Sequence, residues 1–484
     1  MSVRMDATRS VLMLAGRVAN DMVSFIVFTV LDLLDILLCF VYKVIDLLIE
    51  GEWKPCYCSS TNEAITNSGN ILVSEQGESK ILCLSSSKLQ WEDISDTLYS
   101  RPSLVSDLSK FTVKELKRLK VEAPTTIQTR ERIRNGTVRS TFTINSTIVE
   151  MLQCKIERQR LHSITRWSDC DCMTCASSTS SSSFKETTLF VRAEGPTDNR
   201  ETGGEDVLFI HGFISSSAFW TETVFPNFSE EAKSTYRLIA VDLLGFGRSP
   251  KPTDSLYTLR EHVEMIQRSV LDPYKVKSFH IVAHSLGCIV ALALAVNHPE
   301  AVKSLTLLAP PYFPVPKGEA ASQYVLRKVA PRRVWPPIAF GSSIACWYEH
   351  ISRTICLLIC KNHRFWEFLT KLVTRNRLRT YMLEGFFCHT HNAAWHTLHN
   401  IIGGTAGKID VYLDTIQDWL NCDINIFHGK DDELLPVDCS YAIQSRIPRA
   451  RVKVIEKKDH ITIVVGRQKV FAKELEEIWK KCGG

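Results

Sequence analysis

Residues 280–290, HIVAHSLGCIV, place one serine between a run that reads as a buried strand and a run that reads as a buried helix. A strand that turns sharply into a helix forces the residue at the turn into a strained backbone conformation. It also brings the residues two before and two after it together, so small side chains are needed there. Ala283 and Gly287 meet that need around Ser285, with alanine where the strict G-x-S-x-G pattern has its first glycine. The pentapeptide alone has two readings, a nucleophile or a packing turn. The rest of the chain decides between them.

A serine hydroxyl becomes a nucleophile only beside a base, and the base needs a carboxylate to orient it. Two later strand ends supply both in the order nucleophile, acid, base. INIFHGKDDELLP carries Asp432 three residues after Gly429, and KVIEKKDHITIVVG carries His460. Asp431 and Glu433 are neighbouring rivals; the G-x-x-D spacing favours Asp432. The developing oxyanion needs two fixed backbone N–H groups, assigned to Leu286, next to the serine, and Phe213, in a loop shaped by His211 and Gly212. DLLGFGRS, with Gly245 and Gly247, lacks the Lys-Ser/Thr ending of a phosphate loop and reads as a turn beside the site.

Around these residues run seven short apolar stretches: TLFVRAEGP, DVLFIHGF, YRLIAVDLLG, KSFHIVAHS, VKSLTLLAP, DINIFHGKDD and RVKVIEKKDH. Separated by helical or loop segments, they predict a mostly parallel α/β sheet covered on both faces, with the chemistry at the strands' carboxyl ends. This domain is expected over residues 186–484, with a helical cap at about 312–400. The cap holds fourteen Phe, Tyr and Trp and carries twelve Lys and Arg against four Glu, so it holds the positive charge of a chain whose net charge is only +5. An aromatic surface with a basic rim suits a fatty acyl ester with an anionic headgroup, or an anionic lipid surface. The small overall charge gives no reason to expect nucleic acid.

The amino-terminal segment, residues 1–50, predicts one long helix. Residues 22–42 are long enough to cross a bilayer, and fourteen of them are Leu, Ile, Val or Phe, but Asp32 and Asp35 interrupt the run. The apolar residues favour insertion by roughly 4–8 kcal/mol and the two aspartates oppose it by roughly 5–7, so spanning is near balance. Asp21, Asp32 and Lys43, like Asp35 and Asp46, recur every eleven residues and predict a narrow polar stripe. That stripe lies along headgroups, faces a partner, or is tolerated in a signal anchor; a cleaved signal peptide and a soluble core helix compete. Arg4, Arg9 and Arg17 would keep the start of the chain cytosolic and the rest in the lumen or outside. Cys39 is a candidate acylation site.

Residues 51–185 show no sustained periodicity and read as a basic, partly ordered region ending in the serine-rich run 177–183. Cys56, Cys58, Cys170, Cys172 and Cys175 read as disulfides, zinc ligands or free thiols, and sequons at Asn135, Asn145 and Asn227 lean toward a secretory route. Cys288, Cys346, Cys356 and Cys360 read as ordinary core or cap residues. His389, His391, His396 and His399 have the look of a metal set, but no carboxylate lies near them in sequence and a hydrogen-bonding role is favoured. No metal and no cofactor is expected.

Several longer stretches carry a closer resemblance: EWKPCYC (52–58), DISDTLYSRPS (93–103), RWSDCDCMTC (166–175), FWTETVFPNFS (219–229), CWYEHISRT (346–354), GFFCHTHNAAWHTLHN (385–400) and KDHITIVVGRQ (458–468). Residues 187–484 resemble an α/β-hydrolase, and the whole chain resembles the plant BODYGUARD family of lysophospholipase-like serine hydrolases. That resemblance implies a role in building the epidermal cuticle, and a location at the cell membrane or wall, with the endoplasmic reticulum membrane as the alternative. The expected activity is a serine esterase acting on a fatty acyl ester. An acyltransferase using the same three residues and a non-catalytic lipid-binding scaffold are the alternatives. Protein partners are not indicated.

Overall fold

The computed structural model describes residues 2–50, 71–75, 78–85, 88–99, 167–168, 188–196, 205–252, 255–375 and 380–482. The cysteines at 56, 58, 170, 172 and 175, the basic run 110–139, the serine-rich run and the sequons at Asn135 and Asn145 lie outside them.

A helix, α1 (Ser2–Glu50), opens the chain, and a three-stranded antiparallel meander follows: β1 (Ile71–Glu75), β2 (Glu78–Ser85) and β3 (Lys88–Ile94). The meander lies within the region read as lacking periodicity. A signal was available: two short apolar runs separated by Gln76-Gly77 fit a hairpin. The seven predicted runs form β4 (Val191–Glu194), β5 (Glu205–Ile210), β6 (Tyr236–Val241), β7 (Phe279–His284), β8 (Val302–Leu308), β9 (Asp423–Gly429) and β10 (Arg451–Ile455). They make one sheet in the order β10-β9-β8-β7-β5-β6-β4, parallel throughout except for β4 against β6.

The inner strands β6 and β7 are buried along their whole length, as strands covered on both faces must be. α2 (Leu259–Ile266) begins with a Thr258/Glu261 capping box. α3 (Leu286–Asn297) buries ten successive residues, Leu286 to Ala295, because it runs through the core between the sheet and other helices.

Between β8 and β9 the chain leaves the sheet for a set of helices: α4 (Ala321–Val329), α5 (Pro337–Trp347), α6 (Glu349–Cys360), α7 (His363–Val373), α8 (Thr380–Phe387) and α9 (His391–Thr397). α10 (Ile409–Trp419) leads back to β9, and α11 (Asp438–Arg446) and α12 (Gln468–Cys482) complete the fold.

α1 packs along α6 and the turn before it. Asp32 accepts from Arg332 at 2.8 and 2.9 Å and from the Tyr348 hydroxyl at 2.8 Å. Asp35 Oδ1 accepts the backbone N–H groups of His350 (2.9 Å) and Ile351 (3.1 Å), capping α6 from outside. Arg353 forks onto Asp46 at 2.8 and 2.7 Å, and Trp167 Nε1 donates to the same carboxylate at 2.7 Å. The polar stripe of α1 therefore faces the helical insertion, while Asp21 at its start is exposed. Cys39 is 6% exposed in this contact, which counts against the acylation reading.

Candidate active site

Ser285 ends β7 at φ 52°, ψ −124°, a left-handed backbone that costs a non-glycine residue on the order of 1–3 kcal/mol. Its surroundings hold it there. Its N–H donates to Leu308 O at 2.8 Å, and its carbonyl accepts from Cys288 N at 2.8 Å. Crowding explains the small neighbours: a Cβ on Gly287 would lie 2.5 Å from His211 O, and one on Gly212 would lie 3.1 Å from Ser285 Cβ. Ala283 is fully buried beneath the turn.

The loop after β5 is fixed by its own histidine. His211 Nε2 accepts from Leu243 N at 2.9 Å, which leaves Nδ1 to donate to Gly212 O at 2.7 Å. Burial pushes this imidazole's pKa down and keeps it neutral. Phe213 is half-buried with its ring 5.8 Å from that of Phe246. Leu286 is the first residue of α3, where backbone N–H groups have no partner within the helix.

At the end of β9, Asp432 Oδ2 lies 2.7 Å from His460 Nδ1, and Oδ1 accepts from the N–H groups of Leu434 and Leu435, both at 2.9 Å. Burial alone would raise the Asp432 pKa, but hydrogen bonds from His428 and His460 outweigh it and hold the carboxyl well below the usual range. The two loops meet closely: Asp431 N donates to Lys458 O at 2.8 Å, and a Cβ on Gly429 would lie 2.4 Å from the same carbonyl. The rivals Asp431 and Glu433 are exposed.

Three supporting residues escaped the sequence reading. His284 Nε2 donates to His460 O at 2.9 Å, and its ring stacks on Phe219. Burial drives its pKa down to about 3, so it stays neutral while tying the serine's strand to the histidine's loop. His428 Nε2 donates to Leu435 O at 2.8 Å and lies 3.4 Å from Asp432, backing the carboxylate. Asp242 binds Arg248 N at 2.7 Å and fills the space beside Gly247, where a Cβ would lie 2.2 Å away, so the DLLGFGRS turn wraps a carboxylate rather than a phosphate.

The insertion closes over this end of the sheet. Gly385 packs on Ser215, Ala393 on Gly245, and His389 forms a backbone bridge with Phe246. The four histidines do not form one set. His399 Nδ1 pairs with Thr97 Oγ1 at 2.9 Å, and the His396 ring lies 6.4 Å from Tyr257. Not all the insertion's aromatics line an interior: Trp335, Phe365, Phe368 and Phe386 are exposed.

The sheet order, the strained serine at the end of a central strand and the Asp-His pair at later strand ends define an α/β-hydrolase, and residues 207–336 match the family model for the alpha/beta hydrolase fold. The chain is 61% identical to the protein named "Probable lysophospholipase BODYGUARD 3" of Arabidopsis thaliana, over 96% of this chain and 97% of that one. It is 55% identical to "Probable lysophospholipase BODYGUARD 1" of the same plant, with the same coverage. This chain belongs to the BODYGUARD family of lysophospholipase-like, esterase-like hydrolases. Among solved structures, an esterase from Exiguobacterium antarcticum aligns with a TM-score of 0.43 at 17% identity, covering 61% of this chain and 97% of that one, too distant to speak to chemistry.

Proposed function

We propose that the protein is a serine esterase that cleaves fatty acyl esters of the lysophospholipid type. The supporting observation is the 2.7 Å contact between His460 Nδ1 and buried Asp432 near a serine strained to φ 52°. With Nδ1 turned to the carboxylate, Nε2 of His460 is the nitrogen that takes the Ser285 proton as Oγ attacks the acyl carbonyl. The oxyanion forms against the N–H groups of Phe213 and Leu286, and the leaving alcohol departs with the proton from His460. Water, deprotonated by the same imidazole, then releases the fatty acid and restores the serine. Alongside this chemistry we place the protein in cuticle formation, on family resemblance.

The same reading puts the protein on a membrane surface rather than through one. The side of α1 that meets the insertion carries the contacts of Ser24, Asp32, Asp35 and Asp46, nearly the length of a span, while Met22, Phe25, Leu33, Leu37, Phe40 and Leu48 face outward and exposed. Such a helix suits lying in the interface plane. The test of the activity is an ester and lysophospholipid panel with wild-type protein and Ser285→Ala. We expect fatty acid release to fall about 1,000-fold or more in the variant. Equal release by both proteins would overturn the reading. Acyl transfer to an added alcohol in place of free acid would favour the transferase.

A further inference from the structure

A cluster of thiols in the insertion takes no part in the ester chemistry. Cys356 and Cys360 are one turn apart on α6, so both side chains leave the same face. His389, from the junction of α8 and α9, sets Nε2 3.5 Å from Cys356 Sγ. The ligand atoms of Cys356, Cys360 and His389 all lie within 4.8 Å of one another. Cys388 packs into the same cluster at 4% exposure, and His391 stands two residues beyond His389 at the start of α9.

These dimensions suit a bound zinc ion. Zinc bound by thiolate at about 2.3 Å and imidazole at about 2.0 Å separates neighbouring sulfur and nitrogen ligands by about 3.5 Å in a tetrahedron. A soft donor set of thiolates and imidazole with no carboxylate selects zinc over magnesium or calcium. The ligands' backbones are anchored on several sides: Cys388 N donates to Glu384 O at 2.9 Å, His389 bridges Phe246, and α9 is capped by Thr390.

We propose that Cys356, Cys360 and His389, with Cys388 or His391 as the fourth ligand, form a structural zinc site. The site ties α6 to the chain beside Phe246. This departs from the expectation that the chain holds no metal. The histidines read together in sequence split apart in space, and the thiols that replace them come from α6, about thirty residues earlier. A site closed by four protein ligands leaves no position for substrate, so its effect is to hold the insertion over Ser285, with no chemical step.

The test is zinc content and cobalt substitution on the purified, reduced full chain. About one zinc per chain is expected, and cobalt should give an intense near-ultraviolet thiolate charge-transfer band with the visible spectrum of a tetrahedral ion. The band should vanish in Cys356→Ser/Cys360→Ser, while Cys388→Ser and His391→Ala tell which residue completes the shell. Labelling of Ser285 by a fluorophosphonate verifies that each variant is folded. If the double variant fails that check, His389→Cys, which keeps a soft ligand, must still bind cobalt. Absence of zinc and of the cobalt band in wild-type chain with titratable thiols, a band that survives the double substitution, or a mapped disulfide among these cysteines would overturn the proposal.

Discussion

Gly287 shows how narrowly single positions are set around Ser285. A methyl there meets the His211 carbonyl at 2.5 Å, and backbone cannot yield as a flexible side chain would. Gly287→Ala should lower stability by about 2–4 kcal/mol in a denaturant titration and slow fluorophosphonate labelling of Ser285. At Asp432 the consequence is chemical. Asp432→Asn keeps the shape, but its amide no longer supplies the negative charge opposite His460 Nδ1, so the ester hydrolysis rate should fall about 1,000-fold or more with little change in melting temperature. A fall confined to KM would contradict the role assigned to it. At this scale much was readable in advance: Ser285, Asp432 and His460 stand in order at strand ends. His284, His428 and Asp242 were not, because each acts through a contact far away in sequence, such as the 176 residues between His284 and His460.

At the scale of elements, α1 and α6 are the coupled pair. Arg353 and Asp46 are both nearly buried and joined by two hydrogen bonds, so removing one partner leaves an uncompensated charge. Arg353→Ala should cost about 3–5 kcal/mol and expose α1 to limited proteolysis before the hydrolase core is cut. His350 adds a pH dependence. Burial alone would lower its pKa, but the carboxylates of Glu349 and Asp35 outweigh that and raise it from 6.5 to about 9. A raised histidine stabilises fully below its unfolded value and loses that contribution as pH rises through its folded one. Folding stability should therefore fall by roughly 2–3 kcal/mol between pH 6.5 and 9, with the Asp35 share of it belonging to the α1 contact. Asp35→Asn keeps acceptors for the α6 N–H groups while removing the charge, so its melting temperature should vary less over that window. The eleven-residue spacing announced a polar stripe on α1. It did not announce what the stripe meets, since Arg332, His350 and Arg353 lie about 300 residues on.

Over the whole molecule, the outward face of α1 and the amphipathic α7, with Phe365, Phe368 and Leu372 at 60% exposure or more, leave apolar surface that water alone covers poorly. Vesicles containing anionic lipid should retain the full chain in a flotation assay. Phe365→Ser/Phe368→Ser should weaken retention while leaving hydrolysis of a soluble short-chain ester intact. Equal retention would place the membrane contact elsewhere.

The sheet and its chemical end were set by the sequence alone. Strands buried on both faces must be continuous apolar runs, and a strand-to-helix elbow admits only small neighbours, so both leave local patterns that need no knowledge of the rest of the chain. The partners of the aspartates in α1, the dispersal of the four histidines and the meeting of Cys356, Cys360 and His389 were decided by tertiary structure. Each depends on which distant side chain arrives to satisfy a buried charge, hydrogen bond or ligand position, and no local pattern records that arrival.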